Sequence, residues 1–315
     1  MLPSHNGGSA PQSTTSSCRP TTAFAPHTIE RVQPWLGTFV TIKVENGGAS
    51  QVQRAITAAF SEIAAIHHLM SFHESDSDVS RANREAGRVN VRIHAKTAAV
   101  IEQAQTIARA SEGVFDIAVG GKLAARRFLP PPPGAPKPAT CVSWADIELS
   151  KNVIRFRKPL WIDLGGIAKG YAVDCAIAVL GEQLKREPVS RMSVNAGGDL
   201  RVVGGDLIAL RLPWASDTVA LMELEDGSLA SSCGHEQRRR LRGHVVRPHL
   251  DGRSGQGVGA NSFVSVIAER CVVADALTKV VLARGMGAQT VLASFAATAY
   301  LLSPRIGWRR FGSVE

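Results

Sequence analysis

The stretch Asp163-Leu-Gly-Gly-Ile-Ala-Lys-Gly-Tyr171 joins a short apolar run to a helix that we predict over residues 169–184. Its paired glycines, Gly165 and Gly166, let the backbone approach a ligand closely. Lys169 in the first helical turn adds an ammonium to the backbone N–H groups of the helix start, a combination that favours an anion. The stretch matches neither a Walker A loop nor G-x-G-x-x-G. We therefore predict an anion site here, with a joint whose glycines serve packing alone as the alternative.

A second glycine turn, Asn195-Ala-Gly-Gly-Asp199, follows a strand predicted over residues 192–195. Asn and Asp at such a turn often satisfy the turn's own backbone groups. Because the chain has two turns of the same kind, each with polar side chains beside paired glycines, we predict that both line one cleft.

Two other clusters hold side chains suited to chemistry. Asp275 in Val272-Val-Ala-Asp-Ala-Leu-Thr-Lys279 is predicted to open a helix, so it is either a plain N-cap or a ligand of a hard cation such as Mg²⁺. His244 in His244-Val-Val-Arg-Pro-His249 is either a surface residue or a base or phosphate contact, because imidazole titrates near neutrality. Residue types alone leave both pairs of alternatives open.

Predicted helices and strands are interspersed without a regular βαβ period, which predicts an α+β fold. The helix over 49–70 has apolar residues at helical spacing. A helix over 97–112 ends at Gly113, which suits a C-terminal cap. The other predicted helices cover 169–184 and 274–283, and strands are predicted in the second half of 35–44 and over 147–149, 153–156, 161–164, 192–195, 207–212, 219–224, 263–268 and 299–302.

The domain organisation follows from composition along the chain. Residues 1–28 are rich in Ser, Thr and Pro and lack an apolar segment, which predicts a disordered leader without a secretory signal. We predict one domain over residues 29–315, with the proline-rich loop 128–138 as a candidate lobe boundary. No apolar run reaches the roughly 20 residues that a membrane span needs. These features alone favour the cytoplasm, and the compartment stays open.

Charge and cysteine content limit the classes of partner. Lysines and arginines number 36 against 27 acidic residues, so the net charge is +9, yet aromatics are only 5%. Binding of nucleic acid needs a clustered basic face with stacking aromatics, so we predict no nucleic-acid partner. The five cysteines are odd in number and far apart, with no C-x-x-C pair, which argues against a disulfide scaffold and a zinc cluster.

Taken together, the segments resemble the ApbE family, the FAD:protein FMN transferases. The strongest match is residues 163–174, and the matches follow one another in the family's order from about residue 33 to 302. The other matching segments are Leu36-Gly-Thr38, 70–83, 113–120, Asn195-Ala-Gly-Gly-Asp199 and Ala274-Asp-Ala-Leu277.

The resemblance implies an α+β fold whose glycine-rich strand-to-helix turns line an FAD cleft. It also implies Mg²⁺-dependent transfer of the FMN half of FAD to a Ser or Thr hydroxyl of an acceptor flavoprotein, with release of AMP. FAD would be the substrate and the acceptor the protein partner, with membrane contact only through a membrane-bound acceptor. Members of the family are often periplasmic or membrane-associated.

By position, the resemblance also assigns roles to residues of this chain. His244 and Asp275 are the expected catalytic residues, with His244 as a base or phosphate contact. The expected metal site consists of the backbone oxygen at Gly166 together with Asp275, Thr278 and Lys279. The expected FAD contacts are Leu36, His73, Val114, Phe115, Asp116, Asp163, Lys169, Asn195 and Val246.

Two positions depart from the family's pattern. Arg247 stands where a carboxylate is usual, and Lys279 where a metal-binding Thr is usual, with Thr278 one residue earlier on the same helix face. The ammonium of Lys279 would either repel Mg²⁺ or replace one of its charges against a pyrophosphate. A binding protein that holds FAD without transferring FMN therefore stays an alternative, as does an FAD pyrophosphatase that yields FMN and AMP.

Overall fold

The computed structural model describes residues 27–212, 218–234, 238–303 and 307–313. Its main element is an eight-stranded sheet in the order β1-β2-β6-β7-β10-β13-β14-β15, in which every neighbouring pair is antiparallel. Its strands are β1 Thr28–Trp35, β2 Thr38–Glu45, β6 Arg191–Ala196, β7 Asp199–Val203, β10 Gly227–Cys233, β13 Phe263–Ala268, β14 Thr298–Ser303 and β15 Gly307–Gly312.

Seven α-helices occur in the described part of the chain, and three of them form the layer that covers the main sheet. Helix α1 packs on α5, α5 on α6, and α6 on β10 and β13. Helix α6 is apolar on nearly every face because it lies in the middle of this core. The helices are α1 Ala49–Met70, α2 Asp78–Glu85, α3 Ala95–Ala110, α4 Gly120–Ala125, α5 Ala168–Leu184, α6 Cys271–Arg284 and α7 Gln289–Ser294.

Three smaller sheets occur among the residues that the structure describes. A three-stranded sheet has the order β3-β5-β4, and the pairs β8–β9 and β11–β12 form two-stranded sheets that are not hydrogen-bonded to the main sheet. Their strands are β3 Val91–Arg92, β4 Ile147–Ser150, β5 Val153–Phe156, β8 Asp206–Arg211, β9 Thr218–Leu224, β11 Arg239–Leu241 and β12 His244–Val246. None of the described helices is both long and apolar enough to cross a bilayer.

The predicted α+β class is confirmed, but two local predictions are wrong. Residues 161–164 do not form a strand, because their backbone bonds to Ile117, to Gly120 and to a side chain instead of a neighbouring strand. Asn83 Nδ2 donates to the oxygen of Ile162 at 3.0 Å, and Ile162 N donates to Asn83 Oδ1 at 2.7 Å. Asp275 does not open its helix, which already begins at Cys271.

The carboxylate at the start of α6 belongs to another helix. Asp174 of α5 accepts hydrogen bonds from the backbone nitrogens of Cys271 and Val272, both at 3.0 Å. Asp174 thus does for α6 what the sequence assigned to Asp275 as a plain N-cap.

The predicted domain limits are only partly within the described residues. The leader predicted over residues 1–28 falls outside them as far as residue 26, and Thr28 already belongs to β1. The loop 128–138 contains no helix or strand, and a lobe boundary there stays a prediction.

Candidate functional site

A cleft of about 670 Å³ opens beside the three-helix layer, within the range typical of small-molecule sites. Segments far apart in sequence form its walls. They include the turn between β1 and β2, the segment after α1, residues 114–117, the Gly165–Gly166 turn, the start of α5, the β6–β7 turn, residues 248–250 and the middle of α6.

Both glycine turns line this cleft, as the sequence predicted. The β6–β7 turn consists of Gly197 and Gly198, whose φ angles of 62° and 97° favour glycine. Gly198 N donates to Asn195 Oδ1 at 2.9 Å, so the Asn195 side chain holds the turn. Asn195 itself is exposed and lies outside the cleft lining.

The glycines of the first stretch have two different roles. A Cβ on Gly166 would lie 3.5 Å from Lys279 Cε and 3.6 Å from the Phe115 ring, at ordinary contact distances, so packing does not require a glycine there. A Cβ on Gly170 would instead clash with the carbonyl oxygen of Cys271 and lie 2.9 Å from Asp275 Cβ. Gly170 therefore serves helix packing, while Gly166 keeps open the space beside it in the cleft.

Most of the residues expected to contact FAD come together here. Leu36 has a φ of 56°, unusual for a residue with a Cβ, in the two-residue turn between β1 and β2. The cleft lining includes Leu36, His73, Val114, Phe115, Asp116, Asp163 and Lys169, together with Gly166 and Lys279 from the expected metal site.

Four charged side chains form a compact group at the base of the cleft, which we call the charge cluster: Lys169, Asp199, Asp275 and Lys279. Lys169 pairs with Asp199 and lies 3.6 Å from Asp275 Oδ2, and Lys279 pairs with Asp275 Oδ1. Both aspartates are fully buried, whereas both lysines line the cleft. The cluster therefore presents ammonium groups to a ligand and keeps its carboxylates behind them.

The two carboxyl groups of the charge cluster titrate differently. Burial and the neighbouring Asp275 raise the pKa of Asp199, against the opposing lysines. Burial also acts to raise the pKa of Asp275, but Lys169 and Lys279 outweigh it and hold that pKa below its usual value. Asp275 is therefore the carboxylate most firmly ionised, and its charge is matched by two ammonium groups.

Asp275 is the central residue of the expected magnesium site, and its oxygens are the atoms that would bind the ion. Lys279 Nζ donates to Asp275 Oδ1 and, at 3.0 Å, to the Asp275 backbone oxygen. The remaining carboxylate oxygen, Oδ2, accepts from Gly170 N at 3.2 Å and lies beside Lys169. Every oxygen that Asp275 could offer a metal thus already accepts a hydrogen bond from the protein.

The other expected metal ligands are engaged as well. Thr278 is fully buried; its hydroxyl donates to the Asp275 backbone oxygen at 2.7 Å and is 2.8 Å from Ser232 Oγ. The side chain of Lys279 runs past Gly166. Because an ammonium lies among the proposed donors, these residues as arranged do not fit a divalent cation.

The structure separates the two histidines of the His244–His249 motif. His244 is exposed in the β11–β12 hairpin, and neither it nor Val246 lines the cleft. His249 does line the cleft, because the chain folds back after it: Val258 N donates to the His249 oxygen at 2.9 Å. Burial, with Lys279 and Lys169 nearby, lowers the pKa of His249 to about 4, so its imidazole is neutral at pH 7.

Sequence reasoning missed four residues at this site. Asp199 stood in the second glycine turn and His249 in the histidine motif, so the motifs were found but the wrong members were chosen. Arg239 stacks on Phe128, 5.1 Å from the ring centroid, and both line the cleft. Arg239 belongs to a basic run, and no sequence pattern predicts that this run contacts the distant proline-rich loop.

Arg247, the other departure from the family's pattern, is not part of the cleft lining. Its Nε is buried without a hydrogen-bond partner among the described residues. Its Cβ is 3.3 Å from where a Cβ on Gly257 would lie, so it packs against the loop that follows His249.

Comparison with known proteins shows which family has this sequence pattern and fold. The model of the ApbE family matches residues 36–301. The FAD:protein FMN transferase of Chlamydia pneumoniae is 26% identical over 263 residues, covering 78% of this chain and 79% of its own. The ApbE protein of Thermotoga maritima has the same fold, with a TM-score of 0.78 at 24% identity over 90% of this chain and 97% of its own.

A second solved structure agrees on the fold. The apo flavinyl transferase ApbE of Pseudomonas stutzeri superposes with a TM-score of 0.75 at 20% identity, over 94% of this chain and all of its own. The family model covers most of the chain, including every residue that lines the cleft. The chain therefore belongs to the ApbE family.

Proposed function

We propose that this chain transfers the FMN half of FAD to a Ser or Thr hydroxyl of an acceptor flavoprotein and releases AMP. The observation that carries the proposal is the cleft, in which two ammonium groups and a neutral imidazole meet beside an open glycine turn. The names of the relatives, FAD:protein FMN transferases, support the same reaction.

The chemistry is a displacement at phosphorus. The acceptor oxygen attacks the phosphorus that bears FMN, the bond from this phosphorus to the bridging oxygen breaks, and AMP leaves with that oxygen. Lys169 and Lys279 offset negative charge on the diphosphate oxygens as it shifts toward the leaving group. This role requires fixed cations facing the ligand, which is how the charge cluster is arranged.

The proton of the acceptor hydroxyl needs a base. We assign this role to His249 in place of His244, because His249 faces the cleft and is neutral at pH 7. A bound diphosphate would add negative charge beside the imidazole and so raise its pKa from about 4 toward neutrality, where a base accepts a proton more readily.

We assign flavin recognition to the apolar residues that line the cleft. Leu36, Val114 and Phe115 offer apolar surface to an isoalloxazine ring, and Asp163 offers a carboxyl group. Asp116 has a supporting role: it accepts hydrogen bonds from Ala118 N at 2.7 Å and from Trp144 N at 3.2 Å, and thus fixes the loop beside Phe115.

The residues expected to bind magnesium only partly suit the ion. Gly166, Asp275 and Thr278 would supply oxygen ligands of the kind that Mg²⁺ takes, but the ammonium of Lys279 lies among them. The proposed transfer therefore uses the two ammonium groups and no metal ion.

The proposal is tested by incubating the protein with FAD and a Ser- or Thr-bearing acceptor and measuring the acceptor's intact mass and the AMP released. We expect one FMN per acceptor, an equal amount of AMP, and no adduct on an acceptor whose hydroxyl residue is changed to Ala. Free FMN with AMP, and an unmodified acceptor, would instead support the pyrophosphatase. Intact FAD held without any AMP would support the binding protein.

A further inference from the structure

Lys279 lies in an unusual place for a lysine. It comes from the central, largely buried helix α6, and its side chain is only 13% exposed. Its ammonium nevertheless reaches the cleft, close enough that its charge affects the pKa values of Asp163, Asp199 and His249. A buried lysine needs a compensating partner, and Asp275 supplies two acceptors for it.

The hydrogen bonds of Lys279 leave it able to bind a ligand. An ammonium has three N–H donors, and Asp275 accepts from two directions, through Oδ1 and through its backbone oxygen. One donor remains for an oxygen of a ligand in the cleft. Lys169 lines the same cleft from α5, so two cations from different helices meet beside Asp275 and face the same cleft.

The charge balance of the cluster argues against adding a divalent ion. Asp199 and Asp275 carry two negative charges, and Lys169 and Lys279 carry two positive ones. A divalent cation at Asp275 would have to displace Lys279 from both of its hydrogen bonds and would then lie next to two ammonium groups.

Resting on the function proposed above, we propose that Lys279 is the built-in cation of this cleft. It occupies the position of a divalent metal at Asp275, donates to the diphosphate of FAD, and makes FAD binding independent of divalent metal. Helix α6 thus supplies with one side chain the charge that an exchangeable ion would otherwise bring. Removal of the ammonium would free Asp275 Oδ1, and a divalent ion could then bind at this carboxylate.

The test is to measure the dissociation constant of FAD by flavin fluorescence and by calorimetry, once in EDTA and once in excess Mg²⁺. For the unchanged protein we expect dissociation constants within about twofold of each other in the two buffers. Lys279→Thr should bind FAD about tenfold more weakly in EDTA, the size of one lost charge-assisted hydrogen bond, and should recover in Mg²⁺. Lys279→Arg, which keeps a charge, should stay indifferent to the metal.

Direct metal binding gives a second readout that does not involve FAD. Electron paramagnetic resonance measures free Mn²⁺ in solution. We expect Mn²⁺ to stay unbound in the presence of the unchanged protein and to bind to Lys279→Thr. The matched control is Lys43→Thr: this lysine pairs with Glu30 on the edge of the sheet, outside the cleft, and its loss should alter neither FAD nor Mn²⁺ binding.

The outcomes separate this inference from the function on which it rests. An unchanged protein that binds FAD at least tenfold more tightly in Mg²⁺ than in EDTA, or that binds Mn²⁺ itself, overturns the inference while leaving FMN transfer intact. Metal-independent FAD binding without any adduct on acceptors overturns the function and keeps the inference. A folded protein that binds no FAD in either buffer overturns both, and these measurements on the unchanged protein do not depend on whether a variant folds.

Discussion

Gly166 lies in the turn before α5 and Gly170 in the first turn of α5, and the two glycines serve different purposes: ligand space and helix packing. Gly166 borders the cleft at ordinary contact distances, whereas Gly170 lets α5 touch the backbone of α6. Alanine normally stabilises a helix interior relative to glycine by up to about 1 kcal/mol. At Gly170 the clash with α6 should reverse that sign.

We predict that Gly166→Ala lowers FAD affinity about tenfold but changes the free energy of unfolding by less than about 0.5 kcal/mol, because the added methyl takes up ligand space and meets no backbone. Gly170→Ala should lower the free energy of unfolding by about 3 kcal/mol through overpacking. Urea denaturation and FAD titration of both variants check the pair. Equal loss of stability in the two would contradict the division of roles.

His249 should make the protein less stable as the pH falls. Its folded pKa of about 4 lies below the usual 6.5, so the unfolded chain binds the proton first. Between pH 7.5 and pH 5 this linkage should remove about 2 kcal/mol of the free energy of unfolding.

His249→Gln should lose this contribution, so its stability should fall by about 2 kcal/mol less than that of the unchanged protein over the same range. Burial raises the pKa of Asp116 to about 6, which acts in the opposite direction, but Asp116 is present in both proteins and cancels in the comparison. Urea titrations at the two pH values provide the measurement. Parallel pH profiles would mean that His249 is not held neutral by burial.

At this scale the sequence predicted residue types better than partners. Asp163, Lys169 and Phe115 follow from their motif and do line the cleft. The choice between His244 and His249 depends on the backbone fold after residue 249, a contact between the chain and itself that no residue spacing encodes. The sequence likewise places Lys279 one helical turn from Asp275, but it does not show that Lys279 Nζ donates to both Oδ1 and the backbone oxygen of Asp275.

At the scale of elements, α6 depends on a carboxylate from another helix. Asp174 of α5 accepts from two backbone nitrogens at the start of α6 and pairs with Arg201 of β7 at 2.7 Å. One side chain thus connects two helices and the main sheet, in the layer that carries both lysines of the charge cluster.

We predict that Asp174→Ala lowers the free energy of unfolding by about 2 kcal/mol, since it leaves two buried N–H groups at a helix start without an acceptor. Glu182→Ala is the matched control, because Glu182 lies on the same helix in an exposed pair with Lys185 and should cost less than about 0.5 kcal/mol. Thermal or urea unfolding compares the two. A loss of similar size in both would show that Asp174 does not hold α6.

The sequence predicted α1, α3, α5 and α6 to within a few residues, and for α1 the apolar residues recur at helical spacing. Strands were harder to predict where a short apolar run is buried without a strand partner. Residues 161–164 are such a run, and Asn83, about 80 positions away, supplies the bonds that a neighbouring strand would have made. The order of the eight-stranded sheet depends on long-range pairing that local pattern does not determine.

At the scale of the whole molecule, the cleft brings together residues from Leu36 to Lys279. Its base is formed by helices α5 and α6, which are fixed by the core, and its rim by turns and by the β11–β12 hairpin. Rigid elements hold the cations in place, while the parts that would meet an acceptor protein lie at the surface. This division suits a phosphoryl transfer that depends on fixed charge and on access for a second protein.

The most direct test of the account is a crystal structure of the protein with FAD bound in the presence of EDTA. We predict the flavin against Leu36 and Phe115, and diphosphate oxygens within hydrogen-bonding distance of Lys169 Nζ and Lys279 Nζ, with Lys279 still on Asp275. Electron density for a metal ion at Asp275, with Lys279 turned away, or FAD bound outside this cleft would contradict it.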